Sequence, residues 1–310
     1  MIVSMEDDNF KKWLMLKKII ITAVIFTALI SGAAIYFLHE SNRPPLLEIY
    51  IFALKTGQAI FMRTPNDKRI LVDGGSNSEV IRDISSVLPF YSRRIDMLIA
   101  TKADGKRVSG LIDVLNRYSV GEVVIPGTGL VDLGLASSTD QIYQSFIDAT
   151  EEAKVPIKKV LAGDSIFLDD YSLIGPVKFG VLFPIASSTT GGIFQYSNAS
   201  APELVTKISY GSTSVMLAGS VTPKIQKFIS SASSTAASST DLKSNILILS
   251  QNATTSNIAA AFMSAVSPDD IIYSKAKAAN LLEDHRFNIR EVGTLKIVSD
   301  GKSIRSISHP

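Results

Sequence analysis

An uncharged apolar stretch near the N-terminus constrains the fold of this chain more than any other feature. Residues 19–38 read IIITAVIFTALISGAAIYFL and contain no Asp, Glu, Lys or Arg. About 20 consecutive apolar residues are enough for a helix to cross the hydrocarbon core of a bilayer. We disfavour the alternative, a helix buried in a protein core, because no polar face appears anywhere in the run. We therefore expect one transmembrane helix, with the lipid bilayer as its partner.

Charged residues flank this stretch unevenly. Its N-terminal side carries the lysines Lys11, Lys12, Lys17 and Lys18, and its C-terminal side carries His39, Glu40 and Arg43. Lys and Arg are enriched on the cytoplasmic side of membrane helices. We therefore expect a single-pass protein of the cell membrane, with a cytoplasmic N-terminus and an extracytoplasmic C-terminal domain.

A cleaved signal peptide is the competing interpretation, since Ser31-Gly32-Ala33-Ala34 offers small residues to a peptidase. The apolar run continues past these residues to Leu38 and is long for a signal sequence, which favours an uncleaved anchor. The resulting organisation is a cytoplasmic tail (residues 1–18), a transmembrane helix (19–38), a linker (39–46) stiffened by two prolines, and one domain (47–310).

The scarcity of cysteine and histidine limits the chemistry of the chain. The absence of Cys excludes disulfides, thiolate zinc sites and a cysteine nucleophile. The three histidines, His39, His285 and His309, lie far apart in sequence. The net charge of +2 gives no electrostatic case for nucleic-acid binding by the chain as a whole.

Strand and helix patterns alternate from residue 47 onward. Runs rich in β-branched and aromatic residues predict strands at residues 47–54, 59–63, 69–73, 95–101, 121–126, 165–168, 177–183, 204–210, 214–218, 245–250, 270–273, 293–298 and 303–307. Apolar residues at helical spacing predict helices at residues 79–88, 108–118, 141–153 and 258–266. The Ser- and Ala-rich stretch 230–240 predicts a loop. This alternation indicates layered α/β packing in one domain.

Short motifs recur in a fixed order along the same region. They are Gly57-Gln58-Ala59, Arg63-Thr64-Pro65, Val72-Asp73-Gly74-Gly75, Leu88-Pro89, Arg93-Arg94-Ile95-Asp96, Thr101, Gly110-Leu111, Tyr210-Gly211, Leu217-Ala218-Gly219, Pro268 and Val298-Ser299-Asp300-Gly301. In these motifs the chain resembles the extracytoplasmic metallo-β-lactamase-like domain of ComEC-type competence DNA-uptake proteins. The resemblance implies an α/β fold of the αββα sandwich type over most of residues 47–307.

The metal loop is where the chain departs from that family. The family carries three His and one Asp in one turn between a strand and a helix. The resemblance places Lys102, Asp104, Lys106 and Arg107 at those positions. A protonated lysine has no lone pair to offer, and a guanidinium is effectively never deprotonated. Of the four, only Asp104 retains a group that coordinates a metal ion.

The ligands that the family supplies from later segments are missing too. The resemblance places Ser220 where the family has a bridging aspartate, and Gln251 and Asn252 where it has two histidines. His285 is interpreted as a helix-end or surface residue, because one imidazole does not make a site. We therefore expect no dinuclear metal centre, no bound metal and no small-molecule cofactor.

Other residues of this region are assigned structural or open roles. Asp73, Gly74 and Gly75 are expected to hold the turn, with the Asp73 carboxylate accepting backbone N–H groups of the adjoining loop. For Lys102, Lys106 and Arg107 two interpretations stay open: contact with a phosphate or carboxylate at the mouth of the cleft, or a solvated loop without a ligand. The aromatic residues Phe90 and Tyr91 are expected in the core or at the rim.

Three functions remain open. The first is a pseudoenzyme: a membrane-tethered binding or scaffold component without hydrolase activity, which the resemblance sets in DNA uptake with a competence channel protein or DNA as partner. The alternative is an active metal-dependent hydrolase, of phosphodiesterase or nuclease type, with a non-standard metal site. The third is a structural envelope protein whose ligand is another protein.

Overall fold

The computed structural model describes residues 3–41, 45–127, 141–169, 174–185, 203–233, 241–249, 258–273 and 286–308. The chain divides into two compact units, Met1–Pro44 and Pro45–Pro310.

The first unit contains one helix, α1 (Val3–Ser41). Its segment Trp13–Ile35 has a mean hydropathy of 2.1, and none of it is buried within the protein. The prediction of an apolar helix long enough to cross a membrane is confirmed. The helix extends beyond residues 19–38 at both ends, because helical hydrogen bonds are local and do not depend on the lipid boundary.

The second unit contains two facing β-sheets. The strands of the first sheet are β1 (Leu47–Phe52), β2 (Ala59–Arg63), β3 (Arg69–Val72), β4 (Arg94–Ile99), β5 (Ser119–Pro126), β6 (Ile157–Val160), β14 (Leu295–Ser299) and β15 (Ile304–Ser308). Their order is β15-β14-β1-β2-β3-β4-β5-β6.

The strands of the second sheet are β7 (Ser165–Asp169), β8 (Val177–Phe183), β9 (Val205–Tyr210), β10 (Thr213–Gly219), β11 (Ile246–Leu249), β12 (Asp270–Tyr273) and β13 (Arg286–Asn288). Their order is β13-β12-β11-β10-β9-β8-β7.

Helices cover the outer faces of both sheets. They are α2 (Glu79–Val87), α3 (Gly105–Arg117), α4 (Gln141–Glu152), α5 (Pro223–Ser233) and α6 (Ala260–Val266). The short helix α7 (Ile289–Val292) follows β13, and its Ile289 belongs to the apolar cluster between the sheets. One apolar cluster packs the first sheet against α2, α3 and α4. A second cluster packs the second sheet against α5 and α6.

The central apolar cluster lies between the two sheets. It includes Ile49 and Val72 from the first sheet and Phe179 and Val215 from the second. Strand β1 is buried on both faces, which explains why its sequence is almost continuously apolar rather than alternating. The layers are therefore helix, sheet, sheet, helix, and the predicted αββα sandwich is confirmed.

Some elements were not recognised in the sequence, and one prediction was partly wrong. Strands β6 and β13 and helices α5 and α7 were missed. Residues 230–233, predicted as loop, form the last turn of α5. The Ser-rich end of this helix has little apolar character, but Ile225, Phe228 and Ile229 earlier in the helix pack against the second sheet and α6 and thereby stabilise it. Residues 234–240 lie outside the described part of the chain.

The polarity of the first sheet defines two edges. Strands β3, β4 and β5 are parallel to one another, and β1 runs in the same direction because β2 is antiparallel to both β1 and β3. We call the edge at which β1, β3 and β4 end the upper edge. The edge at which these strands begin is the lower edge.

Candidate functional site

The turn that follows β3 lies at the upper edge and contacts α3 backbone to backbone. Asp73 adopts a φ of +58° and Gly75 a φ of +70°, a left-handed conformation that Asp tolerates and Gly adopts freely. A Cβ at position 110 would lie 2.0 Å from the carbonyl oxygen of Gly74. Glycine at positions 74 and 110 therefore allows α3 to approach the turn.

The loop at residues 101–107 leads into the start of α3. Asp104 is the N-cap residue, and its Oδ1 accepts a hydrogen bond from the backbone N–H of Lys106 at 2.9 Å. This cap starts the helix at Gly105, three residues earlier than the apolar pattern indicated. The Arg107 carbonyl oxygen accepts a hydrogen bond from the Gly74 N–H at 2.7 Å, which fixes the first turn of α3 against the Asp73 turn.

Arg107 points inward and forms ion pairs with two carboxylates. Its Nη1 lies 2.8 Å from Oδ2 of Asp73, and its Nη2 lies 2.7 Å from Oε1 of Glu203. Nη1 also donates to Oε1 of Gln58 at 3.3 Å. Only 8% of Arg107, 2% of Asp73 and 5% of Glu203 is exposed to solvent. The centre of the candidate site is therefore a buried guanidinium.

The Asp73 carboxylate is satisfied on both oxygens. Oδ1 accepts the backbone N–H of Thr101 at 2.8 Å, and Oδ2 accepts the Thr101 hydroxyl at 2.7 Å in addition to Arg107. Asp73 thus connects the carboxyl ends of β3 and β4.

Glu203 belongs to the other half of the sandwich. Its Oε1 accepts the backbone N–H of Ser220 at 2.8 Å, and its Oε2 accepts the Ser220 hydroxyl at 2.6 Å. A Cβ at position 219 would lie 2.0 Å from Glu203 Oε1, and Gly219 has a φ of +56°. Glycine therefore leaves room for the carboxylate beside the end of β10.

The carboxylates of Asp73 and Glu203 and the guanidinium of Arg107 together carry one net negative charge. Burial and these neighbouring charges shift the pKa values of Asp73 and Arg107. Burial raises the pKa of Asp73 above its ordinary value, although Arg107 and the Thr101 hydrogen bonds act in the opposite direction and Glu203 adds to the increase. Burial lowers the pKa of Arg107, but the two carboxylates outweigh it and hold that pKa above its ordinary value. Arg107 is therefore a cation at neutral pH.

The side chains present do not fit a metal ion. Within the described parts of the chain, no group of three His, Cys, Asp or Glu side chains converges to hold one. Asp104 uses its carboxylate as a helix cap, while Asp73 and Glu203 are bridged by the guanidinium. The guanidinium of Arg107 is a fixed positive charge between the two carboxylates. It occupies the position that a metal cation would need, and it repels such a cation.

The remaining residues of the sequence-derived site have different environments. Lys102 is half-buried, and its backbone forms an isolated β-bridge with Glu203. Lys106 is exposed. Gln251, Asn252 and His285 lie outside the described residues. The solvated-loop interpretation is wrong for Arg107, because its guanidinium is buried. The guanidinium does contact carboxylates, but they are those of Asp73 and Glu203 in the protein itself.

Sequence reasoning missed Glu203 as a site residue. The available signal was one carboxylate directly before an apolar strand, in Pro202-Glu203-Leu204-Val205. That position alone does not reveal a partner 96 residues earlier in the chain. Gln58 was recognised as part of a motif but not as a neighbour of Arg107. Phe90 and Tyr91 are 91% and 70% exposed, so they belong to the surface and not to the core.

Comparison with known proteins supplies no family assignment. Neither the family models nor the curated protein sequences yield a match to this chain. Among solved structures, the chain is similar to a long form RNase Z from yeast, with 12% identity, a TM-score of 0.46, and coverage of 78% of this chain and 40% of that one. It is also similar to the Rm3 metallo-β-lactamase, with 14% identity, a TM-score of 0.41, and coverage of 65% and 74%.

A third similar structure is the CmlA β-hydroxylase E377D mutant, with 14% identity, a TM-score of 0.42, and coverage of 74% of this chain and 45% of that one. This chain thus spans less than half the length of CmlA and of the yeast RNase Z. At such TM-scores these likenesses add nothing about chemistry. The two facing mixed sheets and their outer helices define the class: the domain is a metallo-β-lactamase-like αββα sandwich.

Proposed function

We propose that this chain is a membrane-anchored, extracytoplasmic protein of the metallo-β-lactamase fold that lacks hydrolase activity and acts as a binding or scaffold component. The observation that supports this proposal is the buried Arg107, which bridges Asp73 and Glu203 at the upper edge. Metal-dependent hydrolases of any fold need an ion that activates water or polarises the substrate. In this site the positive charge is covalently attached to the protein and has no open coordination position.

Within the described part of the chain, the two carboxylates that contact Arg107 are not free to act as a general base. Both oxygens of Asp73 and both oxygens of Glu203 accept hydrogen bonds from protein groups. A carboxylate that is saturated with fixed donors is poorly placed to take a proton from water. The arrangement therefore supports a structural role for the polar cluster.

The setting that we propose is DNA uptake, and it follows from the resemblance to ComEC-type proteins. The domain, residues 47–310, would then lie outside the membrane beside a competence channel protein or DNA, with residues 1–18 in the cytoplasm, 19–38 in the bilayer and 39–46 as a linker. The exposed Lys106 and the half-buried Lys102, in the loop that contains Asp104, are the cations that we propose for contact with DNA phosphates.

Metal content tests the absence of hydrolase activity. The purified full chain in detergent is equilibrated with excess Zn²⁺ or Mn²⁺, dialysed, and analysed by mass spectrometry of the metal. We expect no stoichiometric metal and no chelator-sensitive cleavage of a phosphodiester substrate. Stoichiometric metal with such cleavage, both lost in Asp104→Asn, would instead support the hydrolase with a non-standard site.

Site-specific labelling tests the proposed topology. Because the chain has no Cys, a single cysteine can be placed at Ser4 or at the exposed Lys302. The cells are kept intact, and the outer face of the membrane that holds the anchor must be accessible to the reagent. A membrane-impermeant maleimide should then label Lys302→Cys and not Ser4→Cys. The reverse pattern would contradict the orientation, and loss of Ser4 from the mature chain would indicate a cleaved signal peptide.

A further inference from the structure

One side of the sandwich is bordered by two edge strands. Strand β6 is the last strand of the first sheet and pairs with β5, and β7 is the last strand of the second sheet and pairs with β8. An edge strand presents N–H and C=O groups that can pair with another extended segment. Side chains decide which of the two edges accepts such a segment.

Lysines protect the edge of β6, whereas β7 has no such protection. The two central residues of β6, Lys158 and Lys159, are exposed, and charged side chains of this kind hinder pairing at an edge. Strand β7 reads SIFLD, and its only charged side chain, Asp169, is buried. The Asp169 carboxylate accepts the backbone N–H of Asn66 at 2.9 Å and the side-chain amide of Asn66 at 2.7 Å. Strand β7 therefore carries no exposed charge of its own.

A groove of about 530 Å³ runs along the edge of β7. Four consecutive residues of the strand, Ser165 to Leu168, line this groove. Side chains alternate between the two faces of a strand, so a groove that touches four residues in a row lies along the strand edge and not on one face. Within the described part of the chain, the backbone of these four residues bonds to no residue outside β8. The groove thus follows a row of unpaired backbone groups.

The opposite wall of the groove belongs to the first sheet and carries two lysines. Lys68, directly before β3, and Lys158 line the groove, and both are exposed. Lys158 lies two residues before Val160, which belongs to the apolar cluster between the sheets, so Lys158 points to the same face, toward the second sheet. Among the described residues, neither lysine has an ion-pair partner.

The other charged residues leave the groove with a net positive charge. Arg94 pairs with one oxygen of Asp96, and the other oxygen accepts the backbone N–H of Arg69 at 2.9 Å. The half-buried Glu122 also lines the groove, so two lysines against one glutamate give a net charge of +1. An occupant with carboxylate side chains is therefore favoured. A second copy of this chain is disfavoured, because it would bring the same two lysines to the contact.

Phe167 adds an apolar contact on the other face of β7. Ile166 and Leu168 belong to the apolar cluster between the sheets, so Phe167 points away from that gap, and it is 51% exposed. A strand added beside β7 would direct alternate side chains to the two faces. Side chains on one face would meet the lysines, and those on the other would pack against Phe167.

We propose that the edge of β7 binds an extended acidic peptide segment of a partner protein, in which carboxylate and apolar side chains alternate, as an added strand of the second sheet. Backbone hydrogen bonds would supply affinity, and the alternating side chains would supply specificity. The groove lies at the lower edge, apart from the Arg107 site, and the inference goes beyond the proposed scaffold function by naming a class of partner. It requires neither the membrane anchor nor the absence of hydrolase activity.

Peptide binding tests the charge preference of the groove. The full chain in a nonionic detergent is titrated into two fluorescein-labelled peptides, one that alternates valine with glutamate and one that alternates valine with lysine. Fluorescence anisotropy should show about tenfold tighter binding of the acidic peptide. Lys68→Glu/Lys158→Glu should reverse this preference, and Glu122→Gln should strengthen binding of the acidic peptide about twofold or more. The control Lys227→Glu/Lys302→Glu changes two exposed lysines elsewhere and should leave the preference unchanged.

Amide hydrogen exchange, measured by mass spectrometry, locates the bound peptide. The acidic peptide should slow exchange at residues 165–168, because their unpaired N–H groups become hydrogen-bonded. Strand β15, the edge strand at the far end of the first sheet, is the internal control and should exchange at the same rate with and without peptide.

Slowed exchange at residues 165–168 together with a reversed preference in Lys68→Glu/Lys158→Glu would support the proposal. If the acidic peptide bound no more tightly than the basic one, or bound without slowing exchange at these residues, the proposal would be wrong. Slowed exchange that appears without peptide as the chain concentration rises, together with a dimer mass by light scattering, would assign β7 to a second copy and also overturn it. Far-UV circular dichroism checks the fold of each variant, and Glu122→Gln keeps the test open should the charge-reversed chain not fold.

Discussion

Nη2 of Arg107 lies 2.7 Å from Oε1 of Glu203, and this contact joins the first turn of α3 to a residue two positions before β9. Helix α3 packs on the first sheet and β9 belongs to the second. Through its other nitrogen the same guanidinium reaches Asp73. One side chain therefore connects the two halves of the sandwich at the upper edge.

Removing this cation should destabilise the protein. Arg107→Met leaves two buried carboxylates without a counter-charge, and breaking a buried ion pair in this way costs about 3–5 kcal/mol. We expect the free energy of unfolding to fall by that amount, as measured by urea denaturation of the full chain in detergent micelles. Lys106→Met, on the same helical turn but exposed, should change it by less than about 0.5 kcal/mol.

A charge-matched variant checks the electrostatic explanation. In Arg107→Met/Asp73→Asn/Glu203→Gln none of these three buried charges remains, and we expect part of the lost stability to return because neutral amides cost less to bury than carboxylates. If Arg107→Met alone were as stable as the parent chain, the ion pairs would not hold the two sheets together.

Gly110→Ala tests the close contact between α3 and the Asp73 turn. In an ordinary helix this substitution stabilises by about 1 kcal/mol. Here the new Cβ would meet the Gly74 carbonyl oxygen, so we expect a net loss of about 1–3 kcal/mol from overpacking. The thermal unfolding midpoint measures this loss of stability. The control is Gly180→Ala, because a Cβ at position 180 would lie at an ordinary contact distance of 3.7 Å from the backbone oxygen of Lys207. A rise in the midpoint for Gly110→Ala would show that α3 moves away without cost.

Acid should weaken a second polar cluster, at the lower edge. Burial raises the pKa of Glu48, but hydrogen bonds and ion pairs with Lys296 and Arg63 outweigh this and hold that pKa below its ordinary 4.5. A lowered pKa means that the stabilisation is fully present above pH 4.5 and is lost as the pH falls through the folded-state pKa.

We therefore expect Glu48→Gln to lower the free energy of unfolding by about 1–3 kcal/mol at neutral pH. The difference from the parent chain should shrink as the pH falls below 4.5 and through the lowered pKa of Glu48. The raised pKa of Asp73 changes the stability with pH in the opposite direction. This contribution is the same in the parent chain and in Glu48→Gln, so it cancels in the difference between them. A difference that did not change with pH would show that Glu48 contributes by packing and not by its charge.

DNA binding tests the role of the cleft mouth. If Lys102 and Lys106 contact phosphates, Lys102→Glu/Lys106→Glu should weaken binding to single- or double-stranded DNA and reduce its dependence on salt concentration. Fluorescence anisotropy at several salt concentrations measures both. Lys158→Glu/Lys302→Glu makes the same charge change at exposed positions away from the cleft. Equal affinity in the two double variants would remove the loop from the DNA-binding surface.

Local patterns predicted much of the fold. The limits of β2, β8 and β12 followed directly from their runs of β-branched and aromatic residues, and α2 and α4 from their apolar spacing. Strand β6 was missed because Lys158 and Lys159 interrupt its apolar pattern, although its backbone pairs with β5. The short strand β13 was missed because it has only three residues, too few for a periodicity.

The sequence alone determined an apolar helix long enough to cross a membrane, most of the strands and helices in their order, and the lack of metal donors other than Asp104 in the loop at residues 101–107. These features depend on residue type and local spacing. Only the tertiary structure decided where the charge of Arg107 goes. Whether an arginine in a loop is solvated or buried depends on partners brought together by folding, and Glu203 reaches Arg107 only when the two sheets pack face to face. A buried charge needs a partner within a few ångströms, and distance along the chain does not reveal one.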